Sequence, residues 1–315
     1  MKIKYEFFTN SFHIILCFAF LLFGCTSASN PLNPVTYSFL VVGDWGRKGQ
    51  SNQQEVANQM SQTSLAENAQ FVISTGDNFY ETGVNGLTDE HWSLSFENVY
   101  KGNLLQKDWF IVLGNHDYQG NVNAQIDYTQ KSNRWKMPNR YFTVSQKYSS
   151  SASIRFLFID TNPFISEYQS KQALYSDIAQ QNTQTQLKWI DSVLASSHEK
   201  YKIVVGHHPI YSAGFGHGDQ PELITTLKPL LEKYGVNLYL CGHSHSSQFI
   251  KNANSSINYI VAGAGSSTDE LIKQDYPALF ATASPSFTLI KVLNDRIQVS
   301  FIDKIGNVLF SKVID

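Results

Sequence analysis

Seven residues of types that bind metal ions follow short apolar runs in the sequence, and each run ends in a glycine. The runs are FLVVGDWG (39–46), FVISTGDNFYETG (71–83), WFIVLGNHD (109–117), YKIVVGHHP (201–209) and NLYLCGHSH (237–245). The candidate ligands in them are Asp44, Asp77, Tyr80, Asn115, His207, His243 and His245. Oxygen donors suit hard cations and imidazole suits iron or zinc, so this mixed set predicts two transition-metal ions that share a carboxylate.

The alternative explanation of each motif is a strand that ends in a glycine turn with a polar cap, and this explanation is the better one for any single motif. Five motifs in one chain favour a metal site, because turn caps need neither histidine nor repeated pairs of glycine and acid. α/β proteins carry their sites at the carboxyl ends of strands. We therefore expect the five strand ends to meet.

The order GDWG, GDNFY, GNHD, VVGH, GHSH resembles the signature of purple acid phosphatases in the calcineurin-like metallophosphoesterase superfamily. The run GNHDYQGNVNAQIDYTQKSNRWKMP is similar, more narrowly, to the small tartrate-resistant (type 5) acid phosphatases. The similarity extends from about Phe39 to about Phe249, and the remainder matches only in strand pattern and length. Many other members of the superfamily have histidine where this chain has Gly46, and the combination of Gly46 with Tyr80 marks the purple group.

The resemblance implies a set of ligands for each of two ions. A ferric ion would be held by Asp44, Asp77, Tyr80 and His245, and a divalent ion (Fe, Zn or Mn) by Asp77, Asn115, His207 and His243. Asp77 would bridge the two ions. A phenolate such as that of Tyr80 is an anionic hard donor, which favours Fe(III).

The activity that the resemblance implies is that of an acid phosphatase acting on phosphate monoesters. The two cations would acidify a bound water, and the resulting hydroxide would attack the phosphorus in line. His116 and His217 are the candidate catalytic residues, as contacts to the phosphate or proton donors to the leaving group. The resemblance implies a histidine near His217, although the spacing here is shifted by about one residue from that of the family. His208 should point to the opposite side from His207 on an extended strand, which predicts that it supports the ligands or has a structural role and does not bind metal itself.

Two other functions remain open from the sequence. The first is a phosphodiesterase or phosphoprotein phosphatase of the same superfamily, which the Tyr80 signature disfavours. The second is a non-catalytic surface protein that retains the fold for binding. Loss of a ligand would indicate such a protein, and all seven ligands are present.

The elements that would position the motifs alternate between strands and helices. The resemblance implies an α/β (α+β) four-layer sandwich of two mixed β-sheets flanked by helices. Apolar periodicity predicts helices at Gln50–Asn68, Thr88–Val99, Thr183–Ser197 and Glu222–Tyr234. The strands NYIVAGA, SFTLIKVL, RIQVSFID and VLFSKVI, all after residue 257, predict an antiparallel meander that closes a second sheet.

The segment 162–182, between the strand IRFLFIDT and the third helix, is long, polar and poor in apolar residues. Long loops of this kind often cover an active site. The family has a comparable loop near its site, which makes regulation by cleavage an alternative. A surface excursion without a regulatory role is the preferred interpretation.

The N-terminus predicts export. Residues 1–28 have Lys2 and Lys4, an apolar stretch and a small-residue cleavage site, which is typical of a signal peptide. LFGC at 22–25 also resembles a bacterial lipobox, in which Cys25 would be lipidated. We therefore expect one metallophosphoesterase domain at 35–315 that is periplasmic, extracellular or lipid-anchored at the cell surface.

Charge and cysteine content restrict the partners. The net charge is −2 and no run of Lys or Arg occurs, so nucleic acid is not an expected partner. We expect a monomer that binds small phosphate monoesters or phosphoproteins, with membrane contact only through the alternative lipid anchor. Only Cys241 of the three cysteines lies in the predicted domain, which predicts a buried thiol and no internal disulfide.

Overall fold

The computed structural model describes Met1, Lys4 and residues 37–271, 276–293 and 296–314. Apart from Met1 and Lys4, the predicted signal peptide with Cys25 lies outside the described residues. Within the described ranges, no helix has both the length and the apolar character needed to cross a membrane.

In the described ranges, fourteen strands form two mixed sheets of seven strands each. In chain order they are β1 (Tyr37–Val42), β2 (Val72–Ser74), β3 (Trp109–Ile111), β4 (Trp135–Lys136), β5 (Phe142–Lys147), β6 (Ser153–Phe158), β7 (Tyr201–Val205), β8 (Leu238–Cys241), β9 (Ser247–Ile250), β10 (Asn258–Ala262), β11 (Ala278–Thr282), β12 (Ser286–Leu293), β13 (Arg296–Asp303) and β14 (Val308–Ile314). The first sheet has the order β14-β13-β12-β1-β2-β3-β4 and the second β11-β9-β10-β8-β7-β6-β5. Helices flank the sheets, so the predicted fold class is confirmed.

The α-helices are α1 (Gln53–Ala66), α2 (Val122–Asp127), α3 (Ser166–Ser170), α4 (Thr183–Ala195), α5 (Pro221–Thr226) and α6 (Lys228–Lys233). The first and third predicted helices are present as α1 and α4. The predicted helix Thr88–Val99 is a short π-helix at Trp92–Glu97. The predicted helix Glu222–Tyr234 is divided into α5 and α6, because Pro229 has no N–H to donate to the preceding turn.

The predicted C-terminal meander is wrong in two respects. Its first strand, β10, lies inside the second sheet, parallel to β8 and antiparallel to β9. Strands β12, β13 and β14 do form a meander, but it extends the first sheet through the antiparallel pair of β12 and β1. Residues 259–262 of β10 are all buried, as suits a strand that is covered on both faces.

Aromatic side chains join the facing surfaces of the two sheets. Phe39 of β1 stacks on Phe71 with ring centres 4.8 Å apart. Both rings meet the face or edge of Phe156 of β6, at 5.4 and 5.6 Å. These contacts hold the two sheets face to face, so the ends of β1 and β2 lie beside the ends of β7 and β8.

Candidate metal centre

The seven predicted ligands converge at one edge of this pair of sheets. Asp44, Asp77 and Asn115 follow the parallel strands β1, β2 and β3 of the first sheet, and Tyr80 belongs to the turn after Asp77. His207 follows β7 of the second sheet, and His243 and His245 follow β8. Parallel strands bring their carboxyl ends to the same edge, and the packing of the sheets brings the two edges together. The site therefore spans both sheets.

The oxygen-rich half of the site is centred on the Tyr80 hydroxyl. Its oxygen lies 2.9 Å from Asp77 Oδ2, 3.2 Å from Asp44 Oδ1 and 3.0 Å from His245 Nε2. His245 directs its Nδ1 to the Asp269 carboxylate at 3.3 Å, so a neutral His245 has its lone pair on Nε2. One hydroxyl hydrogen cannot satisfy three acceptors. A cation bound among these atoms would satisfy them.

The nitrogen-rich half is centred on Asn115 Oδ1, which lies 3.1 Å from His207 Nε2 and 2.9 Å from His243 Nδ1. His207 donates its Nδ1–H to the carbonyl oxygen of Thr75 at 2.9 Å, which leaves a lone pair on Nε2 of the neutral ring. Burial lowers the pKa of His207, so the neutral form is favoured. This Nε2 also lies 3.5 Å from Asp77 Oδ1, so Asp77 reaches both halves.

The electrostatics of the site disfavour the charged forms of Asp44 and Tyr80. Burial raises the pKa of Asp44 well above its usual range, and the charge of Asp77 raises it further. Burial and these two carboxylates likewise raise the pKa of Tyr80. A bound cation reverses this effect by stabilising the anionic ligands. Two donor atoms that bind one ion with bonds of about 2.0–2.1 Å lie about 2.9 Å or more from each other. The candidate donor atoms are separated by 2.9–3.6 Å, which matches this spacing. The donor set therefore fits two metal ions.

The repeated glycines make room for carboxylates from other motifs. A Cβ on Gly114 would lie 2.0 Å from Asp77 Oδ1, and a Cβ on Gly242 would lie 2.3 Å from Asp44 Oδ2. The candidate ligands Asp44, Asp77 and His243 themselves have left-handed backbone, with φ of 60°, 52° and 66°. Such conformations are uncommon outside glycine and concentrate at functional sites.

Asp117 connects the second and third motifs from a fully buried position. Its carboxylate accepts hydrogen bonds from the backbone N–H groups of Asn78 and Gly114 and from the side chain of Gln125. The side-chain amide of Asn78 also donates to Asp117, and its Oδ1 accepts from Ser74 at 2.6 Å. These bonds hold together the two loops that carry Asp77 and Asn115.

The two predicted catalytic histidines flank the ligands and are partly exposed. His116 donates its backbone N–H to Asp77 Oδ1, and its Nδ1 lies 2.5 Å from the Glu81 carbonyl oxygen. Because a carbonyl only accepts, Nδ1 carries the hydrogen and Nε2 faces the site, 4.0 Å from Asp77 Oδ2. The His217 ring centre lies 4.4 Å from that of His243. Both residues are placed where they could reach a bound ester, and their catalytic roles stay predictions.

His208 does not point away from the ligands, so the predicted orientation is wrong, whereas its predicted role stays a prediction. Its ring centre lies 4.5 Å from that of His243 and 4.9 Å from that of His207. Strand β7 ends at Val205, and the amides of His207 and His208 both donate to Thr161 Oγ1, at 3.2 and 3.1 Å. Consecutive amides of a regular strand point in opposite directions, so the alternation has ended before His207.

The segment 162–182 is packed onto the site, and the prediction of a surface excursion is wrong. It contains α3 and short 3₁₀-helices at Asn162–Phe164 and Ser176–Gln180. Asn162 donates to the carbonyl oxygen of Leu113, next to the third motif. Tyr168 is buried, and its hydroxyl contacts His208 Nε2 at 2.9 Å. Whether the segment regulates activity stays a prediction.

Sequence reasoning missed two charged residues at the site. The Arg47 guanidinium lies 3.7 Å from the centre of the Tyr80 ring and pairs with Glu81 at 2.9 Å. Asp269, described above, orients His245. Arg47 directly follows the first motif, which was the available signal for it. Asp269 lies beyond the region of motif resemblance, where the sequence carried no such signal.

Comparisons with known proteins agree with this geometry. Residues 37–247 match the family described as "Calcineurin-like phosphoesterase". Purple acid phosphatase 4 of Arabidopsis thaliana is 36% identical over 307 residues, which cover 91% of this chain and 87% of the relative. This chain belongs to the purple acid phosphatase family. Within it, tartrate-resistant acid phosphatase type 5 of Homo sapiens is 32% identical over 295 residues, or 86% of this chain and 89% of the human protein.

Solved structures share the fold of this purple acid phosphatase family member. One, titled "GAP50 the anchor in the inner membrane complex of Plasmodium", has a TM-score of 0.76 at 28% identity and covers 89% of both chains. The purple acid phosphatase PPD1 from yellow lupin has a TM-score of 0.65 at 17% identity, covering 90% of this chain and 55% of the lupin chain. The lupin structure supports the fold alone.

Proposed function

We propose that this protein hydrolyses phosphate monoesters at acidic pH through a binuclear centre of Fe(III) and a divalent ion, with a hydroxide as the nucleophile. As a member of its family, the protein is a metal-dependent phosphomonoester hydrolase, and the identity of the two ions is the finer part of the proposal. The observation that carries it is the convergence of seven donors from five strand ends into two adjoining sets that share Asp77.

The donor sets support different ions. Asp44, Asp77, Tyr80 and His245 would hold Fe(III), because two carboxylates and a phenolate are hard anionic donors. Asp77, Asn115, His207 and His243 would hold Fe, Zn or Mn in the divalent state. When bound, the ions supply charge neutralisation at the phosphate and acidify a water molecule.

The side chains around the ions would position the ester and move a proton. His116 keeps one hydrogen on Nδ1 through the Glu81 carbonyl oxygen, so the proton that it exchanges is carried on Nε2, which faces the site. From Nε2 it can reach the leaving oxygen as a general acid. His217, beside His243, is the second candidate for this role or for holding the phosphate.

A non-catalytic binding protein on this fold is the alternative of a different class. A structural neighbour is described as an anchor in the inner membrane complex of Plasmodium. All seven donors are present in this chain and lie together, which favours catalysis. A phosphodiesterase or phosphoprotein phosphatase remains the alternative within the superfamily.

Metal analysis combined with the visible spectrum tests the proposal. We expect two metals per chain, an absorption band from charge transfer between Tyr80 and Fe(III) in the oxidised protein, and hydrolysis of p-nitrophenyl phosphate at acidic pH. Tyr80→Phe should remove the band. Tyr37→Phe is the matched control, because Tyr37 lies at the opposite end of β1 from Asp44. A colourless protein with two metals, or a band that survives Tyr80→Phe, would contradict the assignment of iron.

We also propose that the protein is exported and acts as a monomer. The motive is the charged, apolar and small-residue order of residues 1–28. The mass of the mature protein tests the proposal of export. Cleavage near residue 28 indicates a signal peptide, and a lipid mass on Cys25 that Cys25→Ala removes indicates an anchor. An unprocessed N-terminus would contradict export.

A further inference from the structure

Thr161 Oγ1 lies within hydrogen-bond distance of three nitrogen atoms. Two are the backbone amides of His207 and His208, and the third is Nδ1 of the His208 ring, at 2.8 Å. A hydroxyl has one hydrogen and two acceptor lone pairs. The two amides are donors and fill the lone pairs. The hydroxyl hydrogen is therefore donated to Nδ1, which must be the unprotonated nitrogen of the ring.

The other ring nitrogen of His208 then carries the proton. An imidazole with an unprotonated Nδ1 has its hydrogen on Nε2. This Nε2 lies 2.9 Å from the Tyr168 hydroxyl oxygen, which accepts the bond. His208 is fully buried. Neither ring nitrogen has a lone pair left with which to bind a metal ion.

This arrangement matters because His208 is close enough to be a ligand. His207, His208 and His243 each offer a ring nitrogen within 4.8 Å of the others. Three imidazoles around one ion are typical of zinc sites. The seven-donor centre instead uses two imidazoles with Asn115 and Asp77 for the second ion.

We propose that Thr161 and Tyr168 hold His208 as a neutral Nε2–H imidazole outside the coordination sphere, and so determine which divalent metal the second site prefers. This inference rests on the proposed binuclear centre. It gives the segment 162–182 a role at the site, because Tyr168 of α3 supplies one of the two hydrogen bonds. Both are positioning residues, since they act through His208.

The first test reads the protonation of His208 directly and needs neither activity nor iron. A long-range ¹H–¹⁵N spectrum of histidine-labelled protein, assigned with His208→Phe, reports which ring nitrogen carries hydrogen. We expect Nδ1 of His208 to be unprotonated and Nε2 protonated, in the metal-free and the zinc-loaded protein. A proton on Nδ1, or a metal-bound nitrogen in the zinc-loaded wild type, overturns the inference.

The second test removes both partners of His208. In Thr161→Val/Tyr168→Phe, we expect the ratio of Zn(II) to Mn(II) affinity to rise at least about tenfold, because an added imidazole favours zinc over manganese and changes next to ligands alter affinity by about 10–100-fold. Adding His208→Phe should abolish the rise. Thr161→Ser, which keeps the hydroxyl, and Tyr175→Phe, whose ring lies 4.5 Å from that of Tyr168, should resemble wild type.

An unchanged zinc-to-manganese ratio in the folded double variant overturns the proposal, as does a rise that persists after His208→Phe. If the double variant does not fold, the nuclear magnetic resonance test on the wild type still decides the protonation. Absence of phosphatase activity with the expected His208 protonation and zinc response would contradict only the proposed function.

Discussion

The first motif ends in Gly46 because a side chain at this position would have no room. A Cβ at this position would lie 1.8 Å from the carbonyl oxygen of Asn78 and 2.8 Å from Cα of Phe79. The Gly46 carbonyl accepts the backbone N–H of Tyr80 at 2.9 Å. The absence of a side chain at 46 thus lets the first motif accept a hydrogen bond from the backbone of Tyr80.

Gly46→Ala should therefore lower both stability and metal retention. We expect a loss of about 1–3 kcal/mol in the free energy of unfolding, as for an overpacked core, because backbone at Asn78 must move. Denaturant unfolding and metal analysis of the purified variant measure the two effects. Gly86→Ala is the control, since nothing lies within 4 Å of a Cβ there. Equal behaviour of the two variants would contradict this account.

The effect on turnover of replacing His116 or His217 should depend on the leaving group of the substrate. His116→Ala and His217→Ala should keep the metals and the visible band, because neither side chain is among the seven donors. We expect turnover of alkyl phosphates to fall by about a hundredfold or more, and turnover of p-nitrophenyl phosphate to fall less, because an acidic phenol needs little protonation.

Steady-state kinetics on both ester types measure this difference. Equal losses would indicate that the residue positions the phosphate and does not donate a proton. Unchanged kinetics for His217→Ala would remove it from the site.

At the scale of elements, Glu199 connects α4 to the edge of the second sheet. Its carboxylate accepts hydrogen bonds from Ser197, after α4, and Ser145 of β5, and pairs with Arg155 of β6 at 2.6 Å. Burial opposes its ionisation, but these hydrogen bonds outweigh burial and lower the pKa to about 2. Ionised Glu199 therefore stabilises the folded protein relative to the unfolded chain.

Glu199→Gln should cost stability only where Glu199 is ionised. Because the folded pKa lies below the unfolded value of 4.5, the contribution is complete above pH 4.5 and is lost as pH falls toward 2. We expect the variant to lose about 1 kcal/mol at pH 7. The difference from wild type should shrink at pH 3.

Denaturant unfolding of metal-free protein at both pH values measures the difference. The control Glu55→Gln alters an exposed acid on α1 and should have little effect at either pH. A stability difference for Glu199→Gln that is independent of pH would contradict the prediction.

For the molecule as a whole, the proposed metal centre lies where the two sheets meet. Asp44, Asp77 and Asn115 come from the first sheet and the three histidine ligands from the second. Ions bound among them would connect the sheets at this edge. Binding to the folded state alone raises stability by mass action.

Removal of the metals should therefore lower the melting temperature. A chelator should decrease Tm by about 5–10 °C, the equivalent of about 2–3 kcal/mol in a protein of this size class. Asp77→Ala should remove both ions and have the lower Tm without chelator, because Asp77 reaches both halves of the site. Calorimetry with metal analysis tests this, and two metals per chain in Asp77→Ala would refute the shared ligand.

The sequence alone predicted the seven candidate donors, which the structure brings together, and most of the elements that carry them. An apolar strand, a glycine and a polar residue are encoded within a few adjacent positions, so the motifs could be recognised without the fold. The helices α1 and α4 followed from local periodicity for the same reason. The break between α5 and α6 also has a local cause, Pro229, although the predicted helix Glu222–Tyr234 continued through this residue.

The groups that surround the candidate donors depend on contacts between distant segments, which the sequence did not reveal. Thr161 draws two consecutive amides to one oxygen, so His208 faces the ligands where strand alternation predicts the opposite. Tyr168 and Asp269 reach the site from segments that are distant in sequence from the five motifs, so the motifs did not reveal these two residues. The sheet that a strand joins likewise depends on its partners, as the placement of β10 shows. Local residue order determines a strand and the polar residues at its end. Contacts between distant segments determine which other groups surround those polar residues.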